Sequence, residues 1–255
     1  MEEFELNGLP AERISRQGND KGWILYIHGG GFTTGSARER RMLTQYVADR
    51  HGYNCIAVNY RLSPENRWPA QIEDCYGCYC ELLEMGYKTE DMVFMGESAG
   101  GTLVLSLALL AKQKGLPLPA AVIALSPATS QVDDLPSHTG NIPTDYMLRD
   151  AVAAGICDVL FEKPADREVL KDPLLSPYYG DYEGLPPVFL SASDSETLYD
   201  DAVILYDKLK AEGHETLLVT EHGLCHAYQI MTYMPEARKT LKACFEAVDK
   251  WKTKR

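Results

Sequence analysis

The chain has 255 residues, 45% of them hydrophobic, which is enough for one sizeable core and too little for two full domains. Its 25 Lys and Arg stand against 37 Asp and Glu, a net charge of −12 that repels phosphate backbones and anionic lipid surfaces, so nucleic-acid and membrane-surface binding are disfavoured. No apolar run approaches the roughly 20 residues of a membrane helix, the longest candidate being Leu103 to Ala111 with Ser106 inside it.

The first residues carry Glu2, Glu3 and Glu5 and lack the basic and apolar regions of a secretory signal, which places the expected site of action in the cytoplasm. Seven cysteines, an odd number in a chain that needs no staples, read as free thiols in a reducing compartment. Short, apolar, β-branched stretches predict buried strands at Trp23–Ile27, Cys55–Val58, Met92–Met95, Ala121–Leu125, Val188–Leu190 and Thr216–Val219. Helical patterns alternate with them, over Arg38–Arg50, Trp68–Met85 and Ala99–Gly115, and on the spacings Leu198, Ala202, Leu205, Leu209 and Leu241, Phe245, Val248. Such alternation with short links demands right-handed crossovers, hence a single α/β domain over 1–255: a mainly parallel sheet with helices on both faces. The stretch from Pro127 to Gly184 breaks the rhythm, with six prolines, a helical pattern around Tyr146–Phe161 and tyrosines at 178, 179 and 182. An insertion of this length leaves the carboxyl edge of the sheet, where ligands bind, and is expected to form a lid or a pocket wall.

The chemistry concentrates in two motifs. Gly96-Glu97-Ser98-Ala99-Gly100 lies directly after a predicted strand and directly before a predicted helix, the context in which a serine on a strained turn is lifted clear of the sheet as a nucleophile. Its flanking glycines avoid a clash, and the helix aims its N-terminal dipole at negative charge forming on the substrate. His28-Gly29-Gly30-Gly31-Phe32 follows the first strand, and bare backbone amides there can surround an oxyanion; the N–H groups of Gly30, Gly31 and Ala99 are the expected donors. The Lys-Ser/Thr ending of a phosphate-binding loop is absent, and His28 reads as a structural brace. A serine hydroxyl needs a base, and the order serine, acid, histidine leaves His214, His222 and His226. His214 sits in a helix-to-strand turn suited to a solvated role, whereas His222 and His226 lie in the loop after the last strand; His226 is preferred.

These motifs, together with Asn59-Tyr60-Arg61-Leu62-Ser63-Pro64-Glu65, Trp68-Pro69-Ala70, Asp172 to Pro177, Leu185-Pro186-Pro187 and Gly223 to Tyr228, resemble the hormone-sensitive-lipase-like family of α/β-hydrolase esterases over most of residues 22–250. The resemblance implies an α/β-hydrolase fold, a Ser-His-acid triad and hydrolysis of small-molecule esters. An aromatic two positions after the base, Tyr228, supports His226. The family usually has an aspartate followed two residues later by Leu and four later by Asp; counted from Leu198 and Asp200, that position is Glu196, while Asp194 keeps the residue type at a two-residue shift. Glu196 is preferred and Asp194 stays the alternative. Asp200 and Asp201 are expected to serve the first turn of the next helix. The Arg61–Glu65 segment is expected to support the glycine loop, through Gly29 and its neighbours, with Arg61 pairing to Glu65 or Asp74.

Cys75, Cys78 and Cys80 fall within one helical pattern and read as buried thiols rather than a metal cluster, and zinc at His222, Cys225 and His226 would block the base. No metal or cofactor is expected. Family members generally carry a longer N-terminal helical cap, whereas 21 residues lie ahead of Gly22 and Trp23 here, so the cap is expected to be reduced or absent. An open pocket favours acetyl to butyryl groups on a bulky or polar alcohol such as an acetylated sugar. An arylformamidase or other amide hydrolase would use the same triad, and a non-catalytic binding protein could keep the scaffold. A homodimer is compatible with the sequence.

Overall fold

The computed structural model describes residues 1–132, 135–148, 159–163 and 165–254. Eight strands form one sheet in the order β1-β2-β4-β3-β5-β6-β7-β8. From β4 onward every neighbouring pair is parallel, through β3 (Trp23–Ile27), β4 (Asn54–Val58), β5 (Met92–Glu97), β6 (Ala121–Leu125), β7 (Val188–Ser193) and β8 (Thr216–Glu221). All six strands expected from apolar runs are present, two with the expected bounds and four longer by one to three residues. Two others are not anticipated by those runs: β1 (Glu2–Leu6) and β2 (Leu9–Ile14) form an antiparallel hairpin that pairs with β4 at the edge. Its turn is Asn7-Gly8, both at positive φ, the two-residue hairpin signal that Asn-Gly provides. Half-exposed strands of alternating charge and hydrophobicity lack the continuous apolar run that marks the interior ones.

The parallel strands are buried on both faces, and their side chains alternate between two cores. From β3, Leu25 and Ile27 join the layer under α2 (Ala70–Glu84), α3 (Ala99–Gln113) and the later helix α6 (Tyr199–Ala211), whereas Ile24 and Tyr26 face α1 (Arg41–His51) and the C-terminal helix α7 (Pro235–Lys252). Cys75 and Cys78 are buried in the first of these layers, as expected, and burial pushes both thiols up, whereas Cys80 on the same helix is only half-buried. Residues 99–111 of α3 are buried all round, which makes this helix the centre of one layer and gives its N-terminus a fixed position against β5 and β6. No helix among the described residues is long and apolar enough to cross a membrane.

Among its described residues the insertion holds two short α-helices, α4 (Pro136–Gly140) and α5 (Arg167–Leu170), a 3-10 turn at Pro177–Tyr179, and no strand. Of the helical pattern expected around Tyr146–Phe161, residues 149–158 lie outside the described part of the chain, and Cys157 with them.

At the C-terminal end of α1, His51 stacks on Phe245 of α7 with ring centroids 4.4 Å apart, and its Nε2 is buried without a hydrogen-bond partner. Burial, and then the charge of Lys21, lower its pKa from 6.5 to about 4. The folded state therefore holds the ring neutral: its contribution is complete above pH 6.5 and is lost as pH falls towards about 4. His51→Phe should flatten the decline of Tm between pH 6.5 and 4 in a series of thermal melts, and an unchanged slope would refute this account of the acid sensitivity.

Candidate active site

At the carboxyl edge of the sheet, β5 passes into α3 through Ser98, whose φ of 55° and ψ of −124° put it in a conformation that costs a non-glycine residue about 1–3 kcal/mol. The turn is tight because β5 and α3 press against the end of β3. A Cβ on Gly96 would lie 2.4 Å from the Gly100 carbonyl oxygen, and one on Gly100 would lie 2.1 Å from that of Ile27. The turn is pinned from the other side as well, since the Ser98 N–H donates to the Leu125 carbonyl on β6 at 2.9 Å.

The glycine loop leaves β3 beside this turn. Gly30 and Gly31 both adopt positive φ, and they line one cavity of about 330 Å³ together with Ser98, Ala99 and His226. His28 is a brace, as its place in the motif suggests. It is buried, stacks on Tyr60 with centroids 4.4 Å apart, and its Nδ1–H donates to the Gly29 carbonyl at 2.7 Å. Burial lowers its pKa.

The segment Tyr60–Glu65 supports the loop from below. The Tyr60 hydroxyl donates to the His28 carbonyl at 2.9 Å, and the Ser63 N–H donates to the Phe32 carbonyl at 2.8 Å. Arg61 pairs with Asp74 of α2, its Nη2 at 2.7 Å and its own backbone N–H at 2.8 Å, and not with Glu65, which is exposed.

Four of the carboxylates near the end of β7 have distinct partners. His226 directs Nδ1–H to Glu196 Oε2 at 2.7 Å, and the other Glu196 oxygen accepts the Ser193 N–H at 2.9 Å. Side-chain exposures of 4% for His226 and 0% for Glu196 make this pair fully internal. A carboxylate only accepts, so Nδ1 carries the proton of the neutral ring and Nε2 has a free lone pair. That Nε2 is buried without a hydrogen-bond partner.

Asp194, two residues away, is turned outward to His222 Nδ1 at 2.6 Å, where the His222 side chain is 92% exposed. The His222 ring holds the Asp194 carboxyl below its usual range, and Asp194 raises the imidazole in turn. The sequence leaves Glu196 and Asp194 as alternatives; the structure brings Glu196 to His226 and sends Asp194 to a different histidine. Asp200 and Asp201 stand in the first turn of α6, as expected, and each has further partners in the insertion. Asp200 accepts the Ser137 N–H at 2.7 Å, and Asp201 accepts the N–H groups of Thr129 and Ser130 at 2.7 and 2.8 Å and the His138 Nε2–H at 2.6 Å. Both carboxylates serve the insertion. Nor is His214 a solvated turn residue: it is half-buried, with Nε2 3.0 Å from the Pro186 carbonyl.

Glu97, the variable position inside the serine motif, is the residue that motif reading passes over. It is 1% exposed; Oε1 accepts the Gly29 N–H at 2.7 Å and Arg40 Nε at 2.5 Å, and Oε2 accepts the Tyr26 hydroxyl. One carboxylate thereby ties the Ser98 turn to the glycine loop. A charged residue at that position, next to a motif that calls for small ones, is the available signal. Removing it by Glu97→Ala leaves the largely buried Arg40 with only a 3.5 Å contact to the exposed Glu39 and should cost about 3–5 kcal/mol in urea unfolding; a loss under about 1 kcal/mol would show the network to be incidental.

A family model described as alpha/beta hydrolase fold matches residues 24–230. An esterase of Acinetobacter venetianus is 31% identical over 240 residues, covering 93% of this chain and 78% of its own length. An acetyl-hydrolase of Streptomyces hygroscopicus is 29% identical over 233 residues, 91% of this chain and 77% of that one. Among solved structures, an HSL homolog, EstE7 from a metagenome library, superposes with a TM-score of 0.91 at 29% identity over 98% of this chain and 86% of that one.

Proposed function

The chain belongs to the alpha/beta hydrolase family, in its hormone-sensitive-lipase branch, and is an esterase; within that activity we propose that Ser98, His226 and Glu196 act as the triad and that Gly30, Gly31 and Ala99 hold the oxyanion. The observation that carries this reading is the state of the His226 ring. Glu196 occupies Nδ1, and the unpartnered Nε2 belongs to a residue that lines the same cavity as the strained Ser98.

In this scheme His226 Nε2 takes the proton from the Ser98 hydroxyl as its oxygen attacks the ester carbonyl. Glu196 stabilises the imidazolium that forms. The carbonyl oxygen becomes an alkoxide facing the three backbone amides, each such donor being worth about 3 kcal/mol at the transition state. On collapse, His226 returns the proton to the leaving alcohol; water then repeats the sequence on the acyl-serine and releases the acid. The N-terminus of α3 adds its dipole at the charged step. Asp194 and His222 take no part.

The substrate is a small acyl ester, acetyl to butyryl, on a bulkier or polar alcohol, an acetylated sugar among the candidates. In support, the cavity of about 330 Å³ is near the lower end of the roughly 300–1,000 Å³ typical of small-ligand pockets. The name of the Streptomyces relative, acetyl-hydrolase, points the same way. Buried free thiols at Cys55, Cys75, Cys78 and Cys244 suit a reducing, cytoplasmic setting.

Ser98→Ala should lower kcat on p-nitrophenyl acetate by on the order of 10⁶ and abolish fluorophosphonate labelling, and Glu196→Gln should lower kcat by about 10⁴. Asp194→Asn and His222→Ala should stay within about twofold of the parent, because their pair is separate from the His226 pair. Loss of activity in Asp194→Asn with retention in Glu196→Gln would reverse the assignment of the acid. Across p-nitrophenyl esters, kcat/KM should peak at or below butyrate and fall towards palmitate; a steady rise to palmitate would remove the short-acyl reading.

A further inference from the structure

We infer that residues 136–148 are a fixed wall rather than a swinging lid, and that Asn141, helped by Ser137, Thr144 and Asp145, is a positioning residue for the catalytic acid. The inference rests on the triad reading above.

Glu196 lies on the short loop between β7 and α6, where no sheet ladder satisfies the backbone. Four consecutive carbonyls of that loop are satisfied by side chains of the insertion. Asn141 Nδ2 donates to the Asp194 carbonyl at 2.9 Å and to the Glu196 carbonyl at 2.8 Å. The hydroxyl of Thr144 is shared between the Ser195 and Asn141 carbonyls, each at 3.0 Å, and that of Ser137 donates to the Thr197 carbonyl at 2.7 Å. Asp145 completes the contact from the other direction: its Oδ2 accepts the Thr197 N–H at 2.7 Å and the Thr197 hydroxyl at 2.9 Å. Thr197 is 0% exposed and Asp145 1%.

Buried backbone groups are nearly always paired, and unmaking such a pair costs more than making it gains. Swinging this segment away would strip the carbonyls of Asp194, Ser195 and Thr197, leave that of Glu196 with the Tyr199 N–H alone, and leave Asp145 without the Thr197 donors. The segment also faces the substrate. His138, Met147 and Leu148 line the cavity, and Asp145 Oδ1 accepts the N–H groups of Met147 and Leu148 at 3.0 and 2.9 Å. Asp145 thus joins two lining residues on one oxygen to the residue after Glu196 on the other.

Such a stitched wall has a specific use here. A glutamate has one more rotatable bond than an aspartate, so a 2.7 Å contact with His226 survives only if the backbone carrying it is held. The double donation from Asn141 brackets Glu196 on both sides and supplies that restraint. The wall sets the acid, the acid sets the ring of His226, and no atom of Asn141 need touch the substrate.

The test uses the full chain with p-nitrophenyl acetate, comparing Asn141→Asp, Thr144→Val and Glu196→Gln. Asn141→Asp keeps the volume and replaces both donors by acceptors; Thr144→Val removes one hydroxyl from an exposed site and guards against a folding failure of the first variant. The expected result is a kcat lower by about 10- to 100-fold in Asn141→Asp and by a few-fold in Thr144→Val, with KM within about threefold of the parent. The far-downfield proton resonance of the His226–Glu196 hydrogen bond should be lost or broadened in Asn141→Asp. Parental kcat and an intact resonance in folded Asn141→Asp, or in Thr144→Val if the former does not fold, overturns the wall inference, as does a raised KM at parental kcat. If Glu196→Gln itself retains parental kcat, the triad reading fails instead.

Discussion

The turn at Ser98 is the constraint on which the site depends. A backbone held at φ 55° and ψ −124° persists only where its surroundings over-determine it, and here they do so from three directions. β5 is locked between β3 and β6 in parallel register; α3 is buried along almost its whole length and cannot rotate; and Ser98 donates its own N–H to Leu125. The strain is offset by the burial of that helix, each large apolar side chain of which contributes about 1.5–3 kcal/mol. What the fold gains is position: the hydroxyl, the α3 N-terminus and the glycine loop share one edge of the sheet.

Around this turn the protein uses buried carboxylates as rivets. Glu97 fastens the glycine loop, Glu196 the imidazole, Asp201 the start of the insertion and Asp145 the wall. In a chain already at net charge −12, interior carboxylates are expensive unless each oxygen finds donors. Backbone N–H groups provide most of them: Gly29 for Glu97, Ser193 for Glu196, Thr129 and Ser130 for Asp201, Thr197, Met147 and Leu148 for Asp145. Burial still pushes Asp201 up, against the downward pull of His138 and the two amides. Each rivet joins segments far apart in the chain, so the site is held by a few desolvated anions where a loop-rich edge could not be held by packing alone.

That design explains what the sequence reveals and what it hides. The interior strands and their helices are legible because burial on both faces leaves a local signature, a short apolar run or a 3.6-residue repeat, and the two glycine motifs are legible because close backbone approach forbids side chains. The hairpin of β1 and β2 is written in Asn7-Gly8, but its strands are half-exposed and carry no apolar run. The links from Asn141, Thr144 and Asp145 to the acid loop leave no periodic trace, since a hydrogen bond between residues more than fifty positions apart constrains type at two points only. Asp200 and Asp201 look like helix-dipole residues for the same reason. Their position in the first turn is local information, while the partners that occupy them come from the insertion.

The two histidine–carboxylate pairs at the end of β7 show where sequence reasoning stops and burial takes over. Asp194 with His222 and Glu196 with His226 have nearly the same spacing, the same atom types and contacts of 2.6 and 2.7 Å. The first has side-chain exposures of 39% and 92% for the acid and the histidine, so water screens it and the histidine titrates upward. The second has exposures of 0% and 4%, its acid carries a backbone amide on the spare oxygen, and its histidine keeps an unsolvated lone pair on the opposite nitrogen. Alternation along the end of a strand would send residues 194 and 196 to the same face. The wall holds the backbone of both residues through their carbonyls, and from that common support Glu196 reaches inward to His226 while Asp194 turns outward to His222. The extra methylene of the glutamate then spans the distance to the ring from a backbone position that the insertion fixes.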